Sequence, residues 1–580
     1  MSIKHTESNS ILDAALTYQY PDYSEEQGIN RIVAFGEHSH RCPIYVKQTP
    51  PCTAGCPAGN DIRFWLTTVR HARRRKLSWE ESYELAWHEA SKTTPFPAVC
   101  GRVCPHPCET RCNRGKKDDG AVNINAFEHF IGDYGITHGL QHQKLTTEVM
   151  AKKVAVVGAG PAGLSCAFQL ARRGYPVTVF EAYPKPGGML RYGNPPYRLP
   201  RNILDAEIDA IVKMGVEIKC NTDIGKDKSL NDLQAKFDAI FIGIGAHEGI
   251  QLGIMGEDAP NVLSAVKFLK MINTGETVPL GSQVVVLGGG DSALIVARIV
   301  RRLGAEVTIL YRRTNVEMPA NEWEVREAVA ENINIQYLVA PVGIRTEEGK
   351  AVAVQCLRTE LGEPDDSGRR RPVPVEGSDL EIPCTALILA IGQRPEGKDA
   401  EQYLNNTGWL KPDTNWSVAE NIYAGGAAVS PAQVTTAIGQ GRMAAERMAS
   451  QLEGKRFRPL DETEIVTPEK IRLNFYKMME RNERSWLPVE ERFKEGFDRE
   501  IDFGITEKQF RAEAKRCMSC GLCFECRQCL IFCPQGAISA FPKNRIGKVM
   551  YTDYNKCVGC HICAQACPCG YIRMGTADEL

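Results

Sequence analysis

The chain has 580 residues, 43% of them apolar, and 70 basic against 71 acidic side chains leave a formal charge of −1. At roughly 150 residues per core, that length predicts about four domains. The charge balance gives no electrostatic footprint for nucleic acid or an anionic membrane, and no apolar run reaches the roughly 18 residues of a spanning helix.

The stretch Met1–Ala15 lacks the basic and apolar regions of a secretory leader, so a cytoplasmic location is expected. Twenty-two cysteines in such a chain do not read as a secreted disulfide framework; they point to metal. Seven fall between Cys42 and Cys112 and eleven between Cys517 and Cys569. The four in the long middle, Cys166, Cys220, Cys356 and Cys384, lie in or beside apolar segments and read as inert buried thiols.

The N-terminal group runs Cys52-x3-Cys56-Pro57, then Cys100-Gly-Arg-Val-Cys104-Pro-His-Pro-Cys108-Glu-Thr-Arg-Cys112. Pro105 and Pro107 preclude a regular helix, so the four-residue spacing is not a helical stripe. This order, with Gly120–Glu128 downstream, resembles the iron–sulfur domain of the glutamate synthase small subunit, a domain shared by dihydropyrimidine dehydrogenase. The resemblance implies one cluster on Cys56, Cys104, Cys108 and Glu128. It implies a second on Cys52, Cys112 and a CxxC pair that the family places just before Cys52. Here only Arg41-Cys42-Pro43 stands there.

Val154–Val157 is a short apolar strand running into Gly158, Gly160, Pro161, Ala162 and Gly163, and Val177–Glu181 reads as the next strand ending in an acid. That is a dinucleotide fingerprint in context: the glycines admit a pyrophosphate to a helix N-terminus and Glu181 accepts from ribose hydroxyls. Gly188, Met189, Leu190 and Arg198 resemble the flavin-contacting loops of the same family, which implies FAD. A second copy begins at Gln283, with Gly288, Gly289, Gly290, Asp291 and Ser292. Its next strand ends in Arg312 and Arg313 instead of an acid, which favours a 2′-phosphate and predicts NADPH over NADH; surface charge after a strand is the alternative.

Two glycine-bearing strand ends, at Gly243–Gly245 and at Ala390, Ile391 and Gly392, resemble the chain crossovers of two-dinucleotide flavoproteins. The NADP unit is then an insertion in the FAD unit. The chain returns to the flavin at Gly426, Ala427, Thr435 and Thr436. The family usually has Asp at position 427, and the alanine removes one hydrogen bond to the ribityl chain. Lys455–Lys515 is charged, with large apolar residues at helical spacing, and reads as helices.

The C-terminal run is Cys523-x2-Cys526-x2-Cys529-x3-Cys533-Pro534, repeated as Cys557-x2-Cys560-x2-Cys563-x3-Cys567-Pro568. Three close thiolates hold one cubane and the fourth reaches to the other. This predicts [4Fe–4S] clusters on Cys523, Cys526, Cys529 and Cys567, and on Cys557, Cys560, Cys563 and Cys533. Structural zinc is the alternative, though zinc requires only CxxC pairs. Cys569 has no place in the count. Cys517 and Cys520 are surplus too, and we infer that they close the N-terminal cluster with Cys52 and Cys112; the rival pair is Cys42 and Cys100.

The expected fold is an α/β flavoprotein with two Rossmann-like dinucleotide-binding domains, an N-terminal α-helical Fe–S domain and a C-terminal ferredoxin-like domain. The expected boundaries are 1–150 for the helical Fe–S domain, 151–275 and 396–452 for the FAD domain, 276–395 for the NADPH domain, 453–516 for a helical linker and 517–580 for the ferredoxin domain. The expected cofactors are FAD, NADP(H) and four [4Fe–4S] clusters, with no catalytic triad, because a flavin itself converts between hydride and single-electron chemistry. The expected function is NAD(P)H:acceptor electron transfer to or from a partner, a 2-oxoacid:acceptor oxidoreductase being favoured. Alternatives are a self-contained NADPH:ferredoxin oxidoreductase, a glutamate synthase small subunit, or a non-catalytic zinc scaffold.

Overall fold

In the computed structural model the described residues are 39–365, 368–396, 399–458, 463–494, 496–540 and 550–576, so the segment read for a leader lies outside them. Val154–Val157, buried along its whole length, lies inside a six-stranded sheet. Val177–Phe180 and Glu217–Lys219 flank it on one side, Ala239–Ile242, Ile422–Ala424 and Ser417–Ala419 on the other, and only the last strand is antiparallel. Near-continuous Val, Ile and Phe is what a parallel sheet covered on both faces requires. Helices Pro161–Arg172 and Val434–Leu452 cover one face and pack on each other, with Ser165 Oγ donating to the Ile438 carbonyl at 2.8 Å.

The second unit is a five-stranded parallel sheet in the order Asn334–Tyr337, Glu306–Tyr311, Gln283–Leu287, Ala386–Leu389, Val262–Ser264. An antiparallel meander, Val339–Glu347, Lys350–Pro364, Arg370–Pro374 and Leu380–Pro383, is inserted before its return strand. The chain enters and leaves this unit through a two-stranded ribbon, Glu248–Gly249 against Gln393–Arg394. The expected start at 276 is therefore too late: Val262–Ser264 is an edge strand of this sheet, and Phe268 and Leu269 of the following helix belong to its core.

Helices Ile62–Arg70, Trp79–Ala90, Pro97–Val103 and Ile124–Thr137 form the N-terminal unit. Pro97–Val103 ends before Pro105, and Pro107 opens a single turn, Pro107–Thr110, at the position where a missing N–H costs nothing. This unit's core includes Phe510 and Ala514 from helix Glu507–Arg516, and Cys517, which caps it. Conversely, Cys42–Tyr45 pairs antiparallel with Ile572–Gly575, so this N-terminal strand belongs to the ferredoxin unit and not to the expected first domain.

Of the helices that periodicity predicts for the linker, Glu507–Arg516 forms, but the stretch before it does not follow. Between 463 and 506 its described residues hold only the short turns Pro468–Lys470, Leu473–Phe475 and Val489–Arg492. Its backbone groups find partners on the units it crosses instead: Arg114 Nη2 donates to the Lys477 carbonyl at 2.9 Å, Met479 N donates to Asp119 at 3.0 Å, and Asn123 Nδ2 donates to the Asn482 carbonyl at 2.8 Å. Satisfied elsewhere, those groups have no need of helix.

Candidate functional site

The glycines of the first turn divide by task. A Cβ on Gly158 (φ +98°) would lie 2.5 Å from the Gly243 carbonyl oxygen, and one on Gly163 would lie 1.9 Å from that of Gly158, so both exist for strand and helix to close up. Gly160, which caps Pro161–Arg172, has nothing nearer than Gly188 Cα at 3.9 Å, and Gly290, which caps Asp291–Arg302, has nothing within 4 Å. Both turns thus present bare backbone and open space at a helix N-terminus, which is the cradle a dinucleotide pyrophosphate fits.

A cavity of about 520 Å³ runs from the first turn to the second. Of the sequence-predicted residues, Gly158, Gly160, Pro161, Ala162, Glu181, Gly188, Met189, Leu190, Arg198 and Ala427 line it from the first unit, and Asp291 and Ser292 from the second. Gly163, Gly288, Gly289, Gly290, Gly426, Thr435, Thr436, Ala390, Ile391 and Gly392 do not line it themselves; Gly288 packs on the Ala390 carbonyl. Glu181 is buried and accepts from Ala159 N at 2.7 Å and Tyr183 N at 2.9 Å, so it braces the glycine turn; burial raises it above the usual carboxylate range. Among the lining residues that sequence reasoning missed are Val103, Pro105, His247, Lys270 and Gln433. Burial, with nearby Lys270, holds His247 down to about 4, so it is neutral at physiological pH.

Of the expected arginines, Arg313 needs correction. Arg198 does line the cavity, but its Nη2 pairs with Glu324 Oε1 of the other unit at 2.7 Å. Arg313 is buried, donating to the Arg370 carbonyl at 2.7 Å and pairing with Asp365 at 2.5 Å, so it braces the meander and cannot greet a 2′-phosphate. Arg312 is exposed.

Near the cavity's end, Val103 and Pro105 flank Cys104, whose Sγ lies 3.7 Å from Thr435 Oγ1 at the start of helix Val434–Leu452. The same helix presses on the Cys56-Pro57 loop, since a Cβ on Gly439 would meet the Pro57 carbonyl oxygen at 2.0 Å. The Cys104 thiol is raised to about 12 by burial, then by Glu128 and Cys56, and Cys108 is raised by burial and by Cys104, Cys56 and Glu128 among others. Glu128 is itself raised to about 8 by burial, and its Oε1 has no hydrogen-bond partner among the described residues. A buried carboxylate oxygen left over beside three thiols fits an iron corner.

A second set gathers across the chain. Burial raises the Cys52 thiol, and Cys112, Cys517 and Cys520 each push it further. Arg63 Nη1 donates to the Cys520 carbonyl at 2.5 Å, Arg70 to that of Cys517, and Asn113 Nδ2 to Cys520 Sγ at 3.7 Å. The rival pair is split, with Cys42 beside Cys557, and Cys100 beside Glu128 and Cys104. In the ferredoxin unit Cys529 is pushed up by burial and by Cys567, Cys526 and Cys523, and Cys563 by burial and by Cys560, Cys557 and Cys533. No group of three or more His, Cys, Asp or Glu among the described residues is drawn in to single-ion spacing. Four sulfurs on one zinc ion would lie about 3.8 Å apart at Zn–S distances of about 2.3 Å.

Fold and cavity together define a flavin- and pyridine-nucleotide-binding oxidoreductase with iron–sulfur domains at both ends. Residues 152–441 match the pyridine nucleotide-disulphide oxidoreductase family, and the chain belongs to it. Residues 23–140 match dihydropyrimidine dehydrogenase domain II, 4Fe-4S cluster, and 522–571 the 4Fe-4S dicluster domain. The chain is 37% identical to NADPH-Fe(3+) oxidoreductase subunit beta of Geobacter sulfurreducens, over 82% of this chain and 75% of that protein. It is 38% identical to NADP(+)-dependent formate dehydrogenase subunit beta of Moorella thermoacetica (81% and 70%). It is 36% identical to the glutamate synthase [NADPH] small chain of Escherichia coli (70% and 89%). Among the described residues no helix is long and apolar enough to cross a membrane.

Proposed function

We propose that this chain is the electron-transfer subunit of a larger redox enzyme, linking NADP(H), through FAD and four [4Fe–4S] clusters, to a partner subunit. The observation that carries it is the single cavity shared by the first glycine turn, by Asp291 and Ser292 of the second, and by Val103 and Pro105 around Cys104. Bound there, a flavin exchanges hydride with a nicotinamide and single electrons with iron–sulfur clusters. The chain's own work is to bind and orient: the open backbone at Gly160 and Gly290 receives phosphates, and the Arg198–Glu324 pair ties the two nucleotide units together across the cavity wall. No side chain needs to move a proton for a hydride to pass between bound cofactors. The clusters take Cys56, Cys104, Cys108 and Glu128; Cys52, Cys112, Cys517 and Cys520; Cys523, Cys526, Cys529 and Cys567; and Cys557, Cys560, Cys563 and Cys533.

A partner is supported by the relatives' names, two of which say subunit beta and one small chain. Those names point to iron(III), formate or glutamate chemistry on other polypeptides, and the 2-oxoacid enzyme is a proposal from the sequence. Anaerobic purification tests the core reading: about sixteen iron, sixteen acid-labile sulfide and one flavin per chain are expected. A colourless protein holding zinc would overturn it. Size-exclusion of native extract tests the subunit reading, since elution of this chain by itself would favour a self-contained reductase.

A further inference from the structure

We propose that Cys569, which has no place among the sixteen ligands, is a redox-tuning residue: its thiol donates a hydrogen bond to Cys567 and raises the potential of the cluster that Cys567 shares with Cys523, Cys526 and Cys529. The inference rests on the cluster reading above. Cys569 is 2% exposed and its Sγ lies 3.8 Å from Cys567 Sγ. Its backbone is fixed by Gly521 N, which donates to the Cys569 carbonyl at 2.6 Å. All four corners of that cluster already have a thiolate, so the fifth sulfur is left as a donor. A thiol is a weak donor and a ligating thiolate is a charged acceptor, so the pair is matched.

The internal repeat supplies the control. Cys567-Pro568-Cys569-Gly570-Tyr571-Ile572 aligns with Cys533-Pro534-Gln535-Gly536-Ala537-Ile538. Both halves give the fourth ligand a backbone N–H four residues on: Ala537 N lies 3.2 Å from Cys533 Sγ, and Tyr571 does the same for Cys567. They differ two residues after that ligand, where Gln535 is exposed and Cys569 is buried against the ligand. Reduction adds negative charge to a cluster and its sulfurs, so an extra donor stabilises the reduced form. The cluster affected is the one nearest Cys520, because Gly521, the residue that holds Cys569, separates Cys520 from Leu522 and Cys523. Cys569 thus makes the first ferredoxin cluster the better electron acceptor of the two, at the point where the helical unit hands over.

The test is a redox titration followed by electron paramagnetic resonance on the anaerobically purified full-length holoprotein, with iron counted in each sample. Cys569→Ala is expected to keep all its iron and to move one cluster to lower potential, about tenfold in its reduction equilibrium or about 59 mV for one electron. The other clusters should not move. Cys569→Ser keeps a donor and is expected to shift less. Potentials of Cys569→Ala that superimpose on the wild type would overturn the inference while leaving the cluster reading intact. Loss of about four iron from both variants would also overturn it, by making Cys569 a ligand. Wild-type protein without cluster iron would remove the cluster reading and this inference with it.

Discussion

Glu331 shows how a single buried charge is held. It is fully buried between Arg298 (2.7 Å), Arg302 (2.6 Å) and Arg492 (3.0 Å), the last reaching in from the linker. Burial pushes its carboxyl up, but hydrogen bonds from Arg302 and Arg298 outweigh it and bring the group from 4.5 down to about 2. A carboxylate depressed in the folded state adds stability above its unfolded value and loses it as pH falls through the folded one. The wild type should therefore lose this contribution between about pH 4.5 and about pH 2. Glu331→Gln takes a carboxylate from Arg298, Arg302 and Arg492, leaving Arg298 its pair with Glu324 and Arg492 its pair with Glu327. It should cost roughly 3–5 kcal/mol at neutral pH and flatten that window, as read by urea unfolding across pH. The two arginines after strand Glu306–Tyr311 give a second pair of outcomes. Arg312→Glu should raise KM for NADPH and lower that for NADH, whereas Arg313→Ala should lower melting temperature without changing the NADPH/NADH preference.

Among the elements, helix Glu507–Arg516 joins the C-terminal part of the chain to the helical unit. Its Phe510 ring stacks 4.1 Å from both Phe127 and Phe130 and meets Tyr83 edge-on at 5.1 Å. Glu513, fully buried, accepts from Asn123 N at 2.6 Å and pairs with Arg516 at 2.5 Å. Phe510→Ala should cost about 3–5 kcal/mol and release the helix to protease, visible as early cleavage between 453 and 516. Cys517→Ser with Cys520→Ser should remove one cluster's worth of iron, about four atoms, and leave the other three clusters; full retention would count against the proposed set. The sequence points to this proposed set only by elimination. A CxxC missing before Cys52 and a spare one after Arg516 form an arithmetic clue that needs no geometry. By contrast, the burial of Arg313 depends on Asp365, a residue of the inserted meander, and no local pattern announces a partner 52 residues away. The linker was misread for a related reason: periodic apolar residues signal helix only when the backbone has no better partner, and here Arg114 and Asn123 supply one.

On the scale of the whole molecule, the parts read from short motifs were the most legible. Glycine turns and cysteine runs act over a few residues and impose their chemistry wherever they fold. The placement of one part on another was not legible, because it is made by contacts such as Gly439 on Pro57 and Arg63 on Cys520, far apart in the chain. Those contacts predict how the molecule comes apart. The helical and ferredoxin units share thiols and core, so stripping iron with a chelator should merge their loss into one calorimetric transition. The first nucleotide sheet shares its core with Phe96, Val99, Cys100 and Cys104 of the helical unit and should be weakened by the same treatment, whereas the second sheet, built on a different core, should melt separately.

The gathering of Cys52 and Cys112 with Cys517 and Cys520 also has a meaning in time. A ribosome that has just finished Cys112 has 405 residues still to add before Cys517 emerges, roughly 20–80 s at ordinary rates of elongation. Through that interval two thiols wait without their companions, and strand Cys42–Tyr45 waits longer still for Ile572–Gly575. On the proposed ligand set, maturation of this chain is late: the assembly machinery that delivers iron completes the head only once the tail has been born.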